Sequence, residues 1–82
     1  MPRFYFDVRE GDRLTRDDNG LQLDNLDAAE RAAAEGAAEI GRDCLPKGNA
    51  RDVTVEVRNE RGRQVLSVRV AIEVHREELA PV

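Results

Sequence analysis

Apolar and polar residues alternate through the first segment of the chain. Phe4, Phe6 and Val8 fall on one face of an extended backbone, and Tyr5, Asp7 and Arg9 on the other. Period two, carried by aromatic and β-branched residues, predicts a half-buried strand over residues 3–9. Glu10-Gly11-Asp12 reads as a turn, because glycine tolerates the positive φ that a hairpin often needs. Arg13-Leu14-Thr15-Arg16 then makes a short second strand with Leu14 as its core residue. Asp17-Asp18-Asn19-Gly20 is a further turn. Leu21 and Leu23 continue as an extended segment expected to cap one end of the core.

The period becomes helical after residue 24. Leu26, Ala29, Ala33, Ala37, Ile40 and Cys44 step by three and four and share one face, while Asp27, Glu30, Arg31, Glu35, Glu39 and Arg42 lie mostly opposite. A helix is predicted from about Leu26 to Cys44, with Asp24 or Asn25 as its N-cap. Asp24 and Asp27 also have the spacing of a weak capping box. The alanine-rich stripe lets the helix axis lie close to a sheet. Gly36 costs about 1 kcal/mol of helix propensity relative to Ala, which implies that another part of the chain closely approaches the backbone there. Leu45-Pro46-Lys47-Gly48-Asn49 ends the helix, since a residue before proline avoids the helical region.

Alternation returns at residue 52. Val53, Val55 and Val57 point inward, and Asp52, Thr54, Glu56 and Arg58 outward. Residues 63–75 read as the longest strand, with Leu66, Val68, Val70, Ile72 and Val74 inward. Asn59-Glu60-Arg61-Gly62 joins the two strands. Taken as a four-residue loop, it pairs 58 with 63, 57 with 64, 55 with 66 and 53 with 68. Asp52 then faces Arg69, and Thr54 faces Ser67. The last strand outruns its partner, so its Val70–Val74 portion needs another neighbour, either the first strand or a second copy. The order is ββαββ. It predicts a single α+β domain over residues 1–75, a four-stranded antiparallel sheet with one helix packed on one face, and a frayed tail over 76–82.

Eighty-two residues make one domain with a thin core. Cys44 is the single cysteine, so no internal disulfide is possible, and no Cys/His cluster offers a structural zinc site. Good local geometry or self-association must support the fold instead. No secretory signal precedes Phe4, and no apolar run approaches the ~20 residues of a membrane span. The expected location is the cytoplasm. The net charge is −4, with both signs interleaved. That argues against a nucleic-acid binder, whose affinity comes mostly from a basic surface.

Each candidate for chemistry has a plainer explanation. Asp17-Asp18-Asn19-Gly20 suggests calcium, but aligning Gly20 with the glycine of an EF-hand loop puts Thr15 first and Leu26 at the bidentate position, and both fail. His75 ends a strand on its outward side among Glu73, Arg76 and Glu77, with no orienting partner. Cys44 on the helix stripe reads as an inert small hydrophobe. The outer sheet face mixes Tyr5, Arg9, Arg58 and Arg69 with Asp7, Glu56 and Glu73, and the acids offset its basic character. No catalytic, cofactor-binding or metal residue is assigned, no cofactor is implied, and the chain is not expected to be an enzyme.

Pro2-Arg3-Phe4-Tyr5-Phe6-Asp7-Val8, Arg16-Asp17-Asp18-Asn19-Gly20, Leu26-Asp27-Ala28-Ala29 and Val55-Glu56-Val57-Arg58-Asn59-Glu60-Arg61-Gly62, with Val65-Leu66, together resemble a family of short alphaproteobacterial proteins, domain of unknown function 6894. That family usually has a proline before the acidic cap, which Leu23-Asp24-Asn25 lacks. The resemblance implies no activity and carries over no functional residues. At the level of fold alone, the hairpin, the Asp-x-x-Gly turn and the Leu-x-x-Ala helix resemble the HicB-type antitoxin domain, though its Pro-Gly-Cys stretch is absent. The expected function is a non-enzymatic protein-interaction or regulatory module that forms a homodimer and has an unidentified protein partner. The alternative is an antitoxin-type partner or a nucleic-acid accessory protein.

Overall fold

A computed structural model describes residues 1–78. The elements are β1 (Arg3–Glu10), β2 (Arg13–Thr15), β3 (Leu21–Gln22), α1 (Leu26–Cys44), β4 (Asp52–Arg58) and β5 (Gln64–Ala71). The fold is α+β, as the pattern predicts: an antiparallel sheet with one helix on one face. Among the described residues the sheet has five strands. Leu21–Gln22 is a short strand of its own, pairing Phe4 with Leu21 and Arg3 with Gln22. The main order is β2-β1-β4-β5, which the alternation alone did not determine.

The helix matches its predicted span. Asn25 is the N-cap, with its side-chain oxygen accepting from the Ala28 amide at 2.9 Å. Ala29, Ala33 and Ala37 pack against Phe4, Val55 and Val57. α1 lies over β4 and β5 and touches β1 only lightly. That offset explains several departures from expectation. Leu14 on β2 is 42% exposed, because the helix never reaches that edge, and Leu21 and Leu26 are also exposed. Gly36 faces open space, whereas Gly41 is buried and closely approached, with a would-be Cβ 3.2 Å from Val70 Cγ1. The close approach assigned to Gly36 therefore occurs at Gly41, one turn and a half nearer the C-terminus, where the helix crosses β5.

The register of β4 with β5 differs by two residues from the expected one. Val53 pairs with Val70, Val55 with Val68 and Val57 with Leu66. Two local features cause this. The Asn59 amide donates to the Arg63 carbonyl and the Gly62 amide to the Asn59 carbonyl. The loop thus holds three residues rather than four, with Gly62 at φ 80° and the Asn59 side chain accepting from the amides of Arg61 and Arg63. A bulge then skips Val65 between the pairs Arg58–Gln64 and Val57–Leu66. Each feature shifts the pairing by one residue, so parity is restored and the expected inward side chains stay on the helix side. Thr54 faces Arg69 and Glu56 faces Ser67, and Arg69 reaches Asp52 diagonally at 2.9 Å.

The first strand pairs with β4, not with the last strand, so among the described residues β5 has no neighbour on its outer side. β4, whose valines are 0–2% exposed, takes the centre. The last strand ends at Ala71 instead of reaching 75, because Ala71 already faces Asp52, the first residue of β4. Ile72 and Val74, expected inward, are 47% and 77% exposed. Residues 76–78 of the expected frayed tail are exposed and have no regular structure, and its last four lie outside the described residues.

Candidate functional site

Parity puts Asp7 on the sheet face away from α1, yet it is 5% exposed, the one buried charged residue among those described. The 16–20 segment folds over it. Asp7 Oδ2 accepts from Arg58 Nε at 2.6 Å, and Oδ1 accepts from Arg58 Nη2 at 3.1 Å and from the Asp17 amide at 3.0 Å. This is a two-pronged guanidinium–carboxylate pair, which fixes geometry as well as charge. Arg58 Nη2 also donates to the Asp17 carbonyl at 3.0 Å. The guanidinium lies 5.0 Å from the centroid of the Tyr5 ring, on the cross-strand neighbour of Arg58.

Asp17 organises the covering segment. Its carboxylate accepts from the amides of Phe6, Asn19 and Gly20 at 3.0–3.1 Å. Gly20 has φ 71°, and a Cβ there would lie 2.9 Å from Arg3 Cγ, the Phe4 carbonyl oxygen and Tyr5 Cε1. Glycine is thus required both by conformation and by space. The Asp17–Gly20 motif works as a turn that ties the segment to β1.

The electrostatics follow from these contacts. The Arg58 guanidinium holds the Asp7 carboxyl below the usual carboxylate range, against burial, with help from the Asp17 amide. Burial pushes Asp17 up, but the amides of Gly20, Phe6 and Asn19 outweigh it and leave that carboxyl lowered as well. Asp7 in turn raises Arg58. An acid held low and a base held high are the reverse of the near-neutral groups that proton-transfer catalysis uses. Among the described residues no buried side-chain polar atom lacks a partner, so the network is closed on itself.

The other residues singled out in the sequence are dispersed. Arg9 pairs with Glu56 at 3.5 Å and Arg69 with Asp52 at 2.9 Å. His75 Nε2 lies 3.1 Å from Glu73 Oε2, with both side chains exposed. Cys44 is a half-buried free thiol at the end of the helix. No group of three metal-ligating side chains occurs among the described residues. Sequence reasoning placed Asp7 on a solvated face and missed its burial. The usable signal was an aspartate in an aromatic strand and an arginine at the end of another, Arg58, but it becomes legible only once β1 is known to lie beside β4.

The sequence model of a family described as Domain of unknown function (DUF6894) matches residues 3–71. The chain belongs to this family. No curated protein and no solved structure matches it.

The span matched by the DUF6894 model runs from the first residue of β1 to the last of β5 and takes in the whole Asp7–Arg58–Asp17 network. It stops where the exposed Ile72–Val74 segment begins. The DUF6894 domain also carries two shallow apolar grooves, one on each flank of α1. The first, of about 200 Å³, opens between α1 and β1 beside Phe6, Val8 and Gly36. The second, of about 300 Å³, runs along the free edge of β5 and is lined by Ala38, Gly41, Leu45, Val70 and Ile72. No helix among the described residues is long and apolar enough to cross a membrane.

Proposed function

We propose that this DUF6894 domain is a non-enzymatic protein-interaction module that self-associates in the cytoplasm, in keeping with its resemblance to short alphaproteobacterial proteins. The observation that carries the reading is the outer edge of β5. It is eight residues long, has no neighbouring strand among those described, and continues into Ile72 and Val74, which are exposed. A free apolar edge is a template for another chain, and proteins normally cover it or blunt it with charge. Here Arg69 is the one charged residue within the strand. The polar chemistry lies on the opposite face and is internally satisfied, consistent with a structural role. On the outer sheet face Arg9, Arg58 and Arg69 are each engaged by a carboxylate, which offsets the basic character of that face toward nucleic acid.

Light scattering over a range of micromolar concentrations tests the reading. A mass that rises with concentration toward twice the monomer value is expected. A constant monomer mass would refute self-association.

A further inference from the structure

Beyond the free edge of β5 the chain runs on through residues 72–75, which belong to no strand, and the two together carry a self-complementary pattern. Along one side run Val68, Val70, Ile72 and Val74, in phase with the core. Along the other run Ser67, Arg69, Ala71, Glu73 and His75. Arg69 and Glu73 lie two residues either side of Ala71.

We infer that a second copy of this chain adds to β5 as an antiparallel strand, with the two-fold axis at Ala71, so that Arg69 of each copy faces Glu73 of the other. This rests on the self-association reading and names the surface and register behind it. In that register Val70 faces Ile72, and Val68 faces Val74, all on the helix side of the sheet. The exposed apolar pair then has a partner, and Ile72 of each copy falls over the other's groove beside Gly41 and Leu45. On α1 that groove is lined by Ala38 and Gly41, small residues, together with Arg42.

Neighbouring registers do worse. A slip of one residue turns the valines of one strand to the polar face. An axis at Val70 sets Arg69 opposite Ala71 and leaves Glu73 without its arginine. An axis at Ile72 sets Arg69 opposite His75, and one at Glu73 brings two carboxylates together. Opposite charges directly across a strand pair are favourable and like charges are not. The other open edge of the sheet, β2, has three residues and offers a poor template. A two-fold dimer is also the simplest closed assembly.

Sedimentation equilibrium of the natural chain, two charge-reversal variants and their mixture tests the inference. Glu73→Arg puts arginine opposite arginine, and Arg69→Glu puts glutamate opposite glutamate, so each variant alone should dimerise about tenfold more weakly or worse than the natural chain. An equimolar mixture of the two restores both opposite-charge pairs and should form a heterodimer. Glu73 is 80% exposed, so its replacement leaves the folded monomer undisturbed. A covalent readout is independent of charge. In a Cys44→Ser background, Ala71→Cys should form a disulfide dimer under mild oxidation, and Ser67→Cys, which faces residue 75, should not. A dimer indifferent to both charge reversals would overturn this surface while leaving self-association intact. A monomer at every concentration would overturn both and leave the edge to an extended segment of another protein.

Discussion

Replacing Asp7 by Asn probes the polar network most sharply, because the side chain keeps its shape and loses its charge. Asp7 accepts three hydrogen bonds, two of them from the Arg58 guanidinium. Hydrogen bonds to charged groups contribute about 1.5–3 kcal/mol each. An asparagine retains one acceptor oxygen and sets an NH₂ against the donors that met the other, either Arg58 Nε or the pair Arg58 Nη2 and Asp17 amide, so at least one contact turns donor against donor and the remaining ones lose the charge. Arg58 keeps the Asp17 carbonyl and the Tyr5 ring, and its side chain is 17% exposed, so water recovers part of the loss. The expected destabilisation at neutral pH is about 2–3 kcal/mol. For a domain of this size that lowers Tm by about 10–20 °C. Asp7 and Asp17 both have lowered pKa values in the folded chain. Their contribution is complete above the unfolded carboxylate pKa of about 4, and is lost as pH falls through the folded values below it. The gap between Asp7→Asn and the natural chain should stay constant above about pH 5 and narrow on acidification. Urea titrations of both proteins across this range measure it. Equal stability at neutral pH, or a gap that persists unchanged into acid, would refute the reasoning.

Gly36→Ala should stabilise the chain by about 0.5–1 kcal/mol, because a methyl there meets nothing within 4 Å. Gly41→Ala should gain less or lose stability, since its methyl presses on Val70 and Leu45, and equal urea midpoints for the two variants would contradict the packing described. Gly20→Ala should cost about 1–3 kcal/mol from the left-handed backbone alone, with crowding against the Phe4 carbonyl added, as thermal melts would show. Asn25→Ala should cost about 1 kcal/mol by removing the cap on Ala28, and a neutral result in the same assay would mean that the helix start is held by something else.

The helix, the two main hairpins and the inward and outward faces were legible in the sequence because each rests on local periodicity. Ala29, Ala33 and Ala37 announce a close-packed helix face, and Val53, Val55 and Val57 a buried strand. Register was less accessible. Asn59-Glu60-Arg61-Gly62 allows both a three- and a four-residue loop, and nothing in Gln64-Val65-Leu66 announces that Val65 is skipped. Strand order depends on which hairpin edge the helix covers, a tertiary choice. With β1 beside β4, Asp7 meets Arg58; with β1 beside β5, it would not. The burial of Asp7, the exposure of Leu14 and the freedom of Ile72 and Val74 all follow from that one choice.

Amide hydrogen exchange followed residue by residue, at low and high protein concentration, tests most directly whether the edge of β5 is an interaction surface. The outward-facing amides of β5 and those of residues 72–75 should exchange more slowly as concentration rises, while the amides between β1 and β4 stay unchanged. Exchange at the β5 edge that is fast and independent of concentration would contradict the account.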